Sequence, residues 1–131
     1  MLASAKVRDC MTASLVTFTP EMGVMEAIRV LLEKRISGAP VVDSHGHLAG
    51  MLSEKDCLRV ALEVGYHRGW GGRVDEYMTR KVETVDADMN VVDVAKLFIE
   101  DNFRRYPVVS HGRLVGQISR RDVLKAIERL A

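Results

Sequence analysis

The chain has 131 residues, 47% hydrophobic and 28% charged, a composition that excludes a disordered tail and fits one compact domain or two very small ones. Nineteen Lys and Arg against eighteen Asp and Glu leave a net charge of +1, which gives no general reason to expect nucleic acid or an acidic membrane as partner. Charges break every apolar run well before the ~18 residues of a spanning helix, the first six residues open no secretory segment, and Cys10 and Cys57 fit no C-x-x-C pattern. The expectation is a cytoplasmic protein with reduced cysteines and no membrane insertion.

In chain order, Val16-Thr17-Phe18 is a short β-rich run. Val24, Ala27, Ile28, Leu31 and Leu32 follow helical spacing with one buried stripe; Gly23 stands at the N-cap and Gly38 follows as a stop. Two apolar runs, 39–42 and 48–52, flank Asp43-Ser44-His45-Gly46-His47 and predict a hairpin. Ser53 then caps a helix with apolar positions at Cys57, Leu58, Ala61 and Leu62. Residues 65–73 contain four glycines and the single tryptophan, Trp70, and predict a connector between a domain at 7–64 and another at 74–131.

The second half repeats the first. Val7, Met11-Thr12, Thr17, Met22, Val24 and Pro40-Val41-Val42 recur at an offset of 67 as Val74, Met78-Thr79, Thr84, Met89, Val91 and Pro107-Val108-Val109. One deletion near Gly112 shifts the offset to 66, where Leu48, Gly50, Ser53 and Asp56 meet Leu114, Gly116, Ser119 and Asp122. The second copy has its β-run at 82–85, a helical stripe at Val91, Val94, Ala95, Phe98 and Ile99 capped by Asn90, and a tighter His111-Gly112 turn. Its last helix, capped by Ser119, carries Val123, Leu124 and Ile127. The expected fold is therefore α+β (α/β-like), two tandem β-α-β-β-α repeats. Each core is thin, so the repeats are expected to pack sheet against sheet, with pseudo-two-fold symmetry.

The doubled pattern resembles a tandem pair of CBS (cystathionine-β-synthase) domains, a Bateman module. The resemblance rests on Met-Thr opening each copy, on Ser37-Gly38-Ala39-Pro40-Val41-Val42-Asp43, and on Gly50-Met51-Leu52-Ser53-Glu54-Lys55-Asp56 with Gly116-Gln117-Ile118-Ser119-Arg120-Arg121-Asp122. It implies a regulatory module, not an enzyme, that binds AMP, ADP, ATP or S-adenosylmethionine in clefts between repeats and signals to an unknown partner in trans. No required cofactor and no metal are implied. Carried over residue by residue, one cleft joins Ser119, Arg120, Arg121 and Asp122 to Leu15, Val16, Ile36, Ser37 and Ala39. The other joins Ser53, Lys55 and Asp56 to Val82, Glu83, Phe103, Arg104 and Tyr106. Arg104-Arg105-Tyr106 departs from Ser37-Gly38-Ala39, and Tyr106 either stacks on a base or fills the cleft. The family's disk-like homodimer is also implied, with Val60, Leu62, Val64, Val123, Ala126 and Leu130 as candidate interface positions.

The residues make chemical sense on their own. A serine capping a helix leaves amides and a dipole facing an anion, and an aspartate one turn on can accept both hydrogen bonds of a ribose diol. Ser-x-x-Asp is equally a capping box, and the two roles can coexist. His45, His47 and His111 lie on turns without a completing ligand set, so metal is not expected. Cys57 on an apolar face reads as core, and seven methionines as adaptable packing. Two other readings remain: a ligand-free structural interaction or dimerisation module, and an RNA-binding accessory protein using Arg104, Arg105, Arg120 and Arg121. The arginines lack an aromatic platform, so nucleic acid is not the expected partner.

Overall fold

The computed structural model describes residues 2–63 and 71–130; Val64, Trp70 and most of the expected connector lie outside them. After a 3-10 turn at Leu2–Ser4 come α1 (Val7–Cys10), α2 (Val24–Lys34), β1 (Gly38–Val42), β2 (Leu48–Ser53) and α3 (Glu54–Glu63). Then follow α4 (Val74–Tyr77), β3 (Val85–Asp86), α5 (Val91–Glu100), β4 (Arg105–Ser110), β5 (Arg113–Ser119) and α6 (Arg120–Leu130). The mixed helix and sheet class and the two repeats are as expected. The compact units, however, are cut out of phase with the sequence repeats. One, the contiguous unit, is Val16–Val82; the other, the composite unit, joins Met1–Leu15 to Glu83–Ala131.

In the contiguous unit β1 and β2 pair antiparallel from Gly38↔Ser53 to Val42↔Leu48, with a bulge at Val41/Val42. The β-run at 16–18 is reduced to one parallel bridge, Phe18 to Val41. Phe18, Val24, Ala27, Leu31, Val41, Leu52 and Val60 form the core, completed by Val74, Tyr77 and Met78. The last three arrive because α4 docks here: the Val74 and Asp75 amides donate to the Met22 and Pro20 carbonyls at 2.8 and 3.0 Å. Thr79 then exchanges both backbone hydrogen bonds with Met51 of β2, at 2.8 and 2.9 Å.

The composite unit repeats the device. Its sheet has the order β3-β4-β5, with β3 parallel to β4 and β4 antiparallel to β5. Val7 and Arg8 of α1 donate to the Met89 and Ala87 carbonyls, and Thr12 exchanges both bonds with Gln117 of β5. Each Met-Thr segment thus extends the strands of the other sequence copy. The approach is so close that no side chain fits beneath it: a Cβ on Gly50 would lie 2.6 Å from the Thr79 carbonyl oxygen, and one on Gly116 2.9 Å from that of Thr12.

Three local expectations need correction. The stop of α2 is Arg35, in the left-handed region at φ 55°, with the Ile36 amide donating to the Leu31 carbonyl at 3.1 Å; Gly38 opens β1 instead. On the final helices the buried positions are Val60, Val123 and Ala126, so these are core and not interface. Leu58 and Leu124, placed among the apolar positions, are 70% and 65% exposed, and Leu62 and Leu130 are exposed as well. The far edges of the other two helical stripes, Leu32 and Ile99, are 70% and 85% exposed. The His111-Gly112 turn is as expected, both residues having positive φ as a type I′ hairpin requires. Both cysteines are free, and no described helix is long and apolar enough to cross a membrane.

Candidate functional site

Each unit contains one strand that runs directly into a helix through serine. At β2–α3 the Ser53 amide donates to Asp56 Oδ2 at 3.0 Å, and the Asp56 amide donates to Ser53 Oγ at 3.1 Å. At β5–α6 the Ser119 amide donates to Asp122 Oδ2 at 2.9 Å, and the Asp122 amide to Ser119 Oγ at 3.1 Å. Both are reciprocal capping boxes, so the structural reading of Ser-x-x-Asp holds. It does not exhaust the carboxylates. A carboxylate offers about four acceptor sites, the box engages one oxygen, and all four residues are only partly buried. The second oxygen of each keeps acceptor capacity for a diol while the cap stays intact.

The two aspartates differ in one respect that sequence reading missed. The Thr79 hydroxyl donates to Asp56 at 3.2 Å from Oδ1 and 3.4 Å from Oδ2. No such bond joins Thr12 to Asp122 among the described residues. The repeated Met-Thr was visible as a marker, but only the docking of that segment on β2 brings its hydroxyl to the carboxylate.

Each helix start is also tied to the entry of the neighbouring strand. The Glu54 amide donates to the Ser37 carbonyl at 2.9 Å, and the Arg120 amide to the Arg104 carbonyl at 3.1 Å. Gly38 lies across the ladder from Ser53, and Arg105 across from Ser119. The Arg120 Nε further donates to the Phe103 carbonyl at 3.0 Å. Within one unit, therefore, Ser37 joins Ser53 and Asp56, and Phe103 and Arg104 join Ser119, Arg120, Arg121 and Asp122. Of the other expected contacts, Val16, Ile36, Ala39, Lys55 and Val82 belong to the contiguous unit and Leu15 and Glu83 to the composite one.

Tyr106, expected at a base-binding edge, is a core residue instead. Its side chain is 2% exposed in the core of the composite unit, with its ring against Phe98 and Phe103 at 4.8 and 5.5 Å between centroids. Its hydroxyl donates to Asp101 Oδ2 at 3.1 Å, and burial first, then that bond, pushes its pKa up to about 12. It fills the core and offers no stacking face. Ala39, also buried, contributes backbone at most.

Elsewhere the Asp43 carboxylate accepts the His45 and His47 amides at 2.8 and 3.0 Å, which makes this turn a self-contained loop. Among the described residues no three metal-ligating side chains converge. Cys57 lines an apolar groove of about 380 Å³ between α2 and α3; burial, then Asp56, pushes its thiol up to about 11, away from nucleophile chemistry.

A family model described as "CBS domain" matches residues 7–63 and 74–129. The chain is 34% identical over 121 residues to an uncharacterised protein of Methanocaldococcus jannaschii, covering 92% of this chain but 42% of that protein's length. Among solved structures, CBSX2 of Arabidopsis thaliana in complex with AMP is 31% identical at a TM-score of 0.80, covering 95% of this chain and 97% of that one. The CBS domain pair of protein MJ0100, in complex with 5′-methylthioadenosine and S-adenosyl-L-methionine, is 26% identical at a TM-score of 0.73, covering 97% and 98%.

Proposed function

Because the chain belongs to the CBS domain family and carries two of its repeats, we propose that it is a cytoplasmic regulatory module that binds an adenosine-containing ligand and signals to a partner protein in trans. One observation carries the reading: both units present a serine-capped helix start whose aspartate has acceptor sites beyond the one the cap uses, shared at Asp56 with the Thr79 hydroxyl. Ser53 and Asp56 serve one site, and Ser119 and Asp122 the other. The aspartates accept the ribose hydroxyls, while the helix amides, Lys55, Arg120 and Arg121 face the phosphate side. Leu15, Val16, Ile36, Val82 and Phe103 supply apolar edges for the base. The module works by shifting a conformational equilibrium through its differential affinity for ligand, which requires no nucleophile.

Two solved relatives carry AMP in one case and a sulfonium ligand with its thioether in the other, so the test is a panel. Thermal unfolding is followed with adenosine, AMP, ADP, ATP and S-adenosylmethionine. A ligand at a hundredfold its Kd adds about 2.7 kcal/mol of stability, a rise of several degrees for a chain this size. No shift with any of them at millimolar concentration overturns the reading.

The exposed apolar helix faces favour self-association. Leu32 and Leu58 lie on one unit, and their repeat counterparts Ile99 and Leu124 on the other, all at least 65% exposed. We assign these faces to a second copy of the chain. Duplicated patches of the same chemistry suit a two-fold interface better than a heterologous one.

A further inference from the structure

Asp56, Arg59 and Glu63 stand at i, i+3 and i+7 of α3 and so share one of its faces. All three hold the same stretch of chain. Arg59 bonds the Tyr77 carbonyl and lies over the Tyr77 ring at 5.5 Å, Glu63 accepts the Tyr77 hydroxyl at 2.7 Å, and Asp56 accepts the Thr79 hydroxyl. On α6 the counterparts are Asp122, Lys125 and Arg129, with Cys10 in place of Tyr77, and no hydrogen bond joins them to Cys10 or Thr12 among the described residues. The difference lies in side chains alone, because Thr79 and Thr12 are seated by the same pair of backbone bonds, to Met51 and Gln117, at 2.8 and 2.9 Å in each unit. At Asp56 the Ser53 amide takes one position of Oδ2, and the Thr79 hydroxyl lies across the carboxylate edge, 3.2 Å from Oδ1 and 3.4 Å from Oδ2. A ribose diol brings two donors to that same edge. At Asp122 the cap takes its one position of Oδ2, and Oδ1 accepts nothing among the described residues.

We propose that the Thr79 hydroxyl is a built-in competitor of the ligand: a diol bonds fully to Asp56 only by displacing it, so ligand binding in the contiguous unit and the seating of α4 on α3 and β2 oppose each other. This deepens the adenosine reading and rests on it. Coupling of this kind is reciprocal, so whatever factor Thr79 takes from the affinity of the ligand, the ligand takes from the seating of α4. The Asp122 site has no such competitor and leaves α1 undisturbed. One site only holds ligand; the other converts occupancy into a loosened α4, the element that carries Val74 and Tyr77 of the core.

The test pairs calorimetry with amide hydrogen exchange on the full chain, with AMP and S-adenosylmethionine as probes. Thr79→Val is made in an Asp122→Asn background, which leaves the Asp56 site to be read by itself, and Thr12→Val in an Asp56→Asn background is the control. Valine keeps the shape and removes the donor, and both threonines are exposed, so both variants are expected to fold. Thr79→Val should tighten binding about threefold to tenfold, and Thr12→Val should change it less than about twofold. In the wild type, saturating probe should speed exchange of the amides of residues 74–79 by that same factor and leave those of 7–12 unaccelerated. Thr79→Val should show the faster exchange without probe and no further acceleration with it. Weaker or unchanged binding by Thr79→Val, or slower exchange at 74–79 with probe, overturns the inference and leaves the adenosine reading standing. No binding of either probe to the wild type overturns the adenosine reading and the competitor with it.

Discussion

Gly50 and Gly116 show how a single missing side chain fixes the architecture. The Met-Thr segments cross β2 and β5 so closely that a Cβ at Gly50 would meet the Thr79 oxygen at 2.6 Å, and one at Gly116 the Met11 Sδ at 2.6 Å. Gly50→Ala is expected to cost roughly 1–3 kcal/mol, as overpacking does. Gly116→Ala should cost less, because its shortest approach is to a flexible thioether and its backbone clash, with the Thr12 oxygen at 2.9 Å, is milder; urea midpoints of the two variants rank them. Tyrosine supplies a pH signature. Tyr77, held chiefly by the bond it donates to Glu63 and then by burial, and Tyr106, held chiefly by burial, are both pushed up to about 12 from 10.0. The folded state therefore binds these protons more tightly than the unfolded state. Their contribution is complete below pH 10 and is lost as pH rises from about 10 toward about 12. Alkaline titration of the folded protein should show the phenolate signal of two tyrosines delayed beyond the ordinary value. Two tyrosines titrating near 10 would contradict the packing around both. At this scale the capping serines and aspartates were legible because their spacing is local. Thr79 and the burial of Tyr106 were not, since both depend on partners brought in by tertiary docking.

Among the elements, α4 has the largest consequence for its size. Four residues long, it brings Val74 into the contiguous unit, fully buried, with Tyr77 and Met78. The Arg59 guanidinium, bonded to the Tyr77 carbonyl and lying over its ring at 5.5 Å, fastens it to α3. A chain of residues 16–82 contains all of that core, whereas one ending at 63 lacks three buried side chains worth about 1.5–3 kcal/mol each. That sum is comparable to the whole stability of a small domain. The 16–82 chain is therefore expected to give a cooperative urea transition, and a 1–63 chain none; the opposite order would contradict the assignment of α4. Helix and hairpin positions were legible because apolar spacing and turn chemistry act locally, as Asn90 capping α5 through the Val92 amide at 2.7 Å illustrates. The stop of α2 was misread because Arg35 adopts the left-handed conformation that the glycine three residues later was expected to supply. The exposed edges at Leu32, Leu58, Ile99 and Leu124 were unreadable, since a wide apolar stripe looks alike whether its margin meets core or a second copy.

For the whole molecule, duplication was the most legible feature, and it carried the fold. What the repeat could not reveal is that α1 and α4 exchange allegiance, so that compact units and sequence copies run out of phase. The proposed two-fold association belongs to this scale: sedimentation equilibrium at micromolar concentration should give twice the 14.6 kDa chain mass. Leu58→Glu/Leu124→Glu should return the monomer, and a wild-type monomer would contradict that assignment. The central claim is that the two capped aspartates receive the ribose of an adenosine ligand. Its most direct measurement is isothermal calorimetry of the wild type, Asp56→Asn, Asp122→Asn and the double variant against the panel ligand that shifts unfolding most. Asparagine retains the oxygen that caps and removes the charge that receives a diol. Each single variant is expected to lose binding at its own site, and the double variant to bind at least about a hundredfold more weakly, about 2.7 kcal/mol, while remaining folded. A folded double variant with wild-type affinity would contradict it.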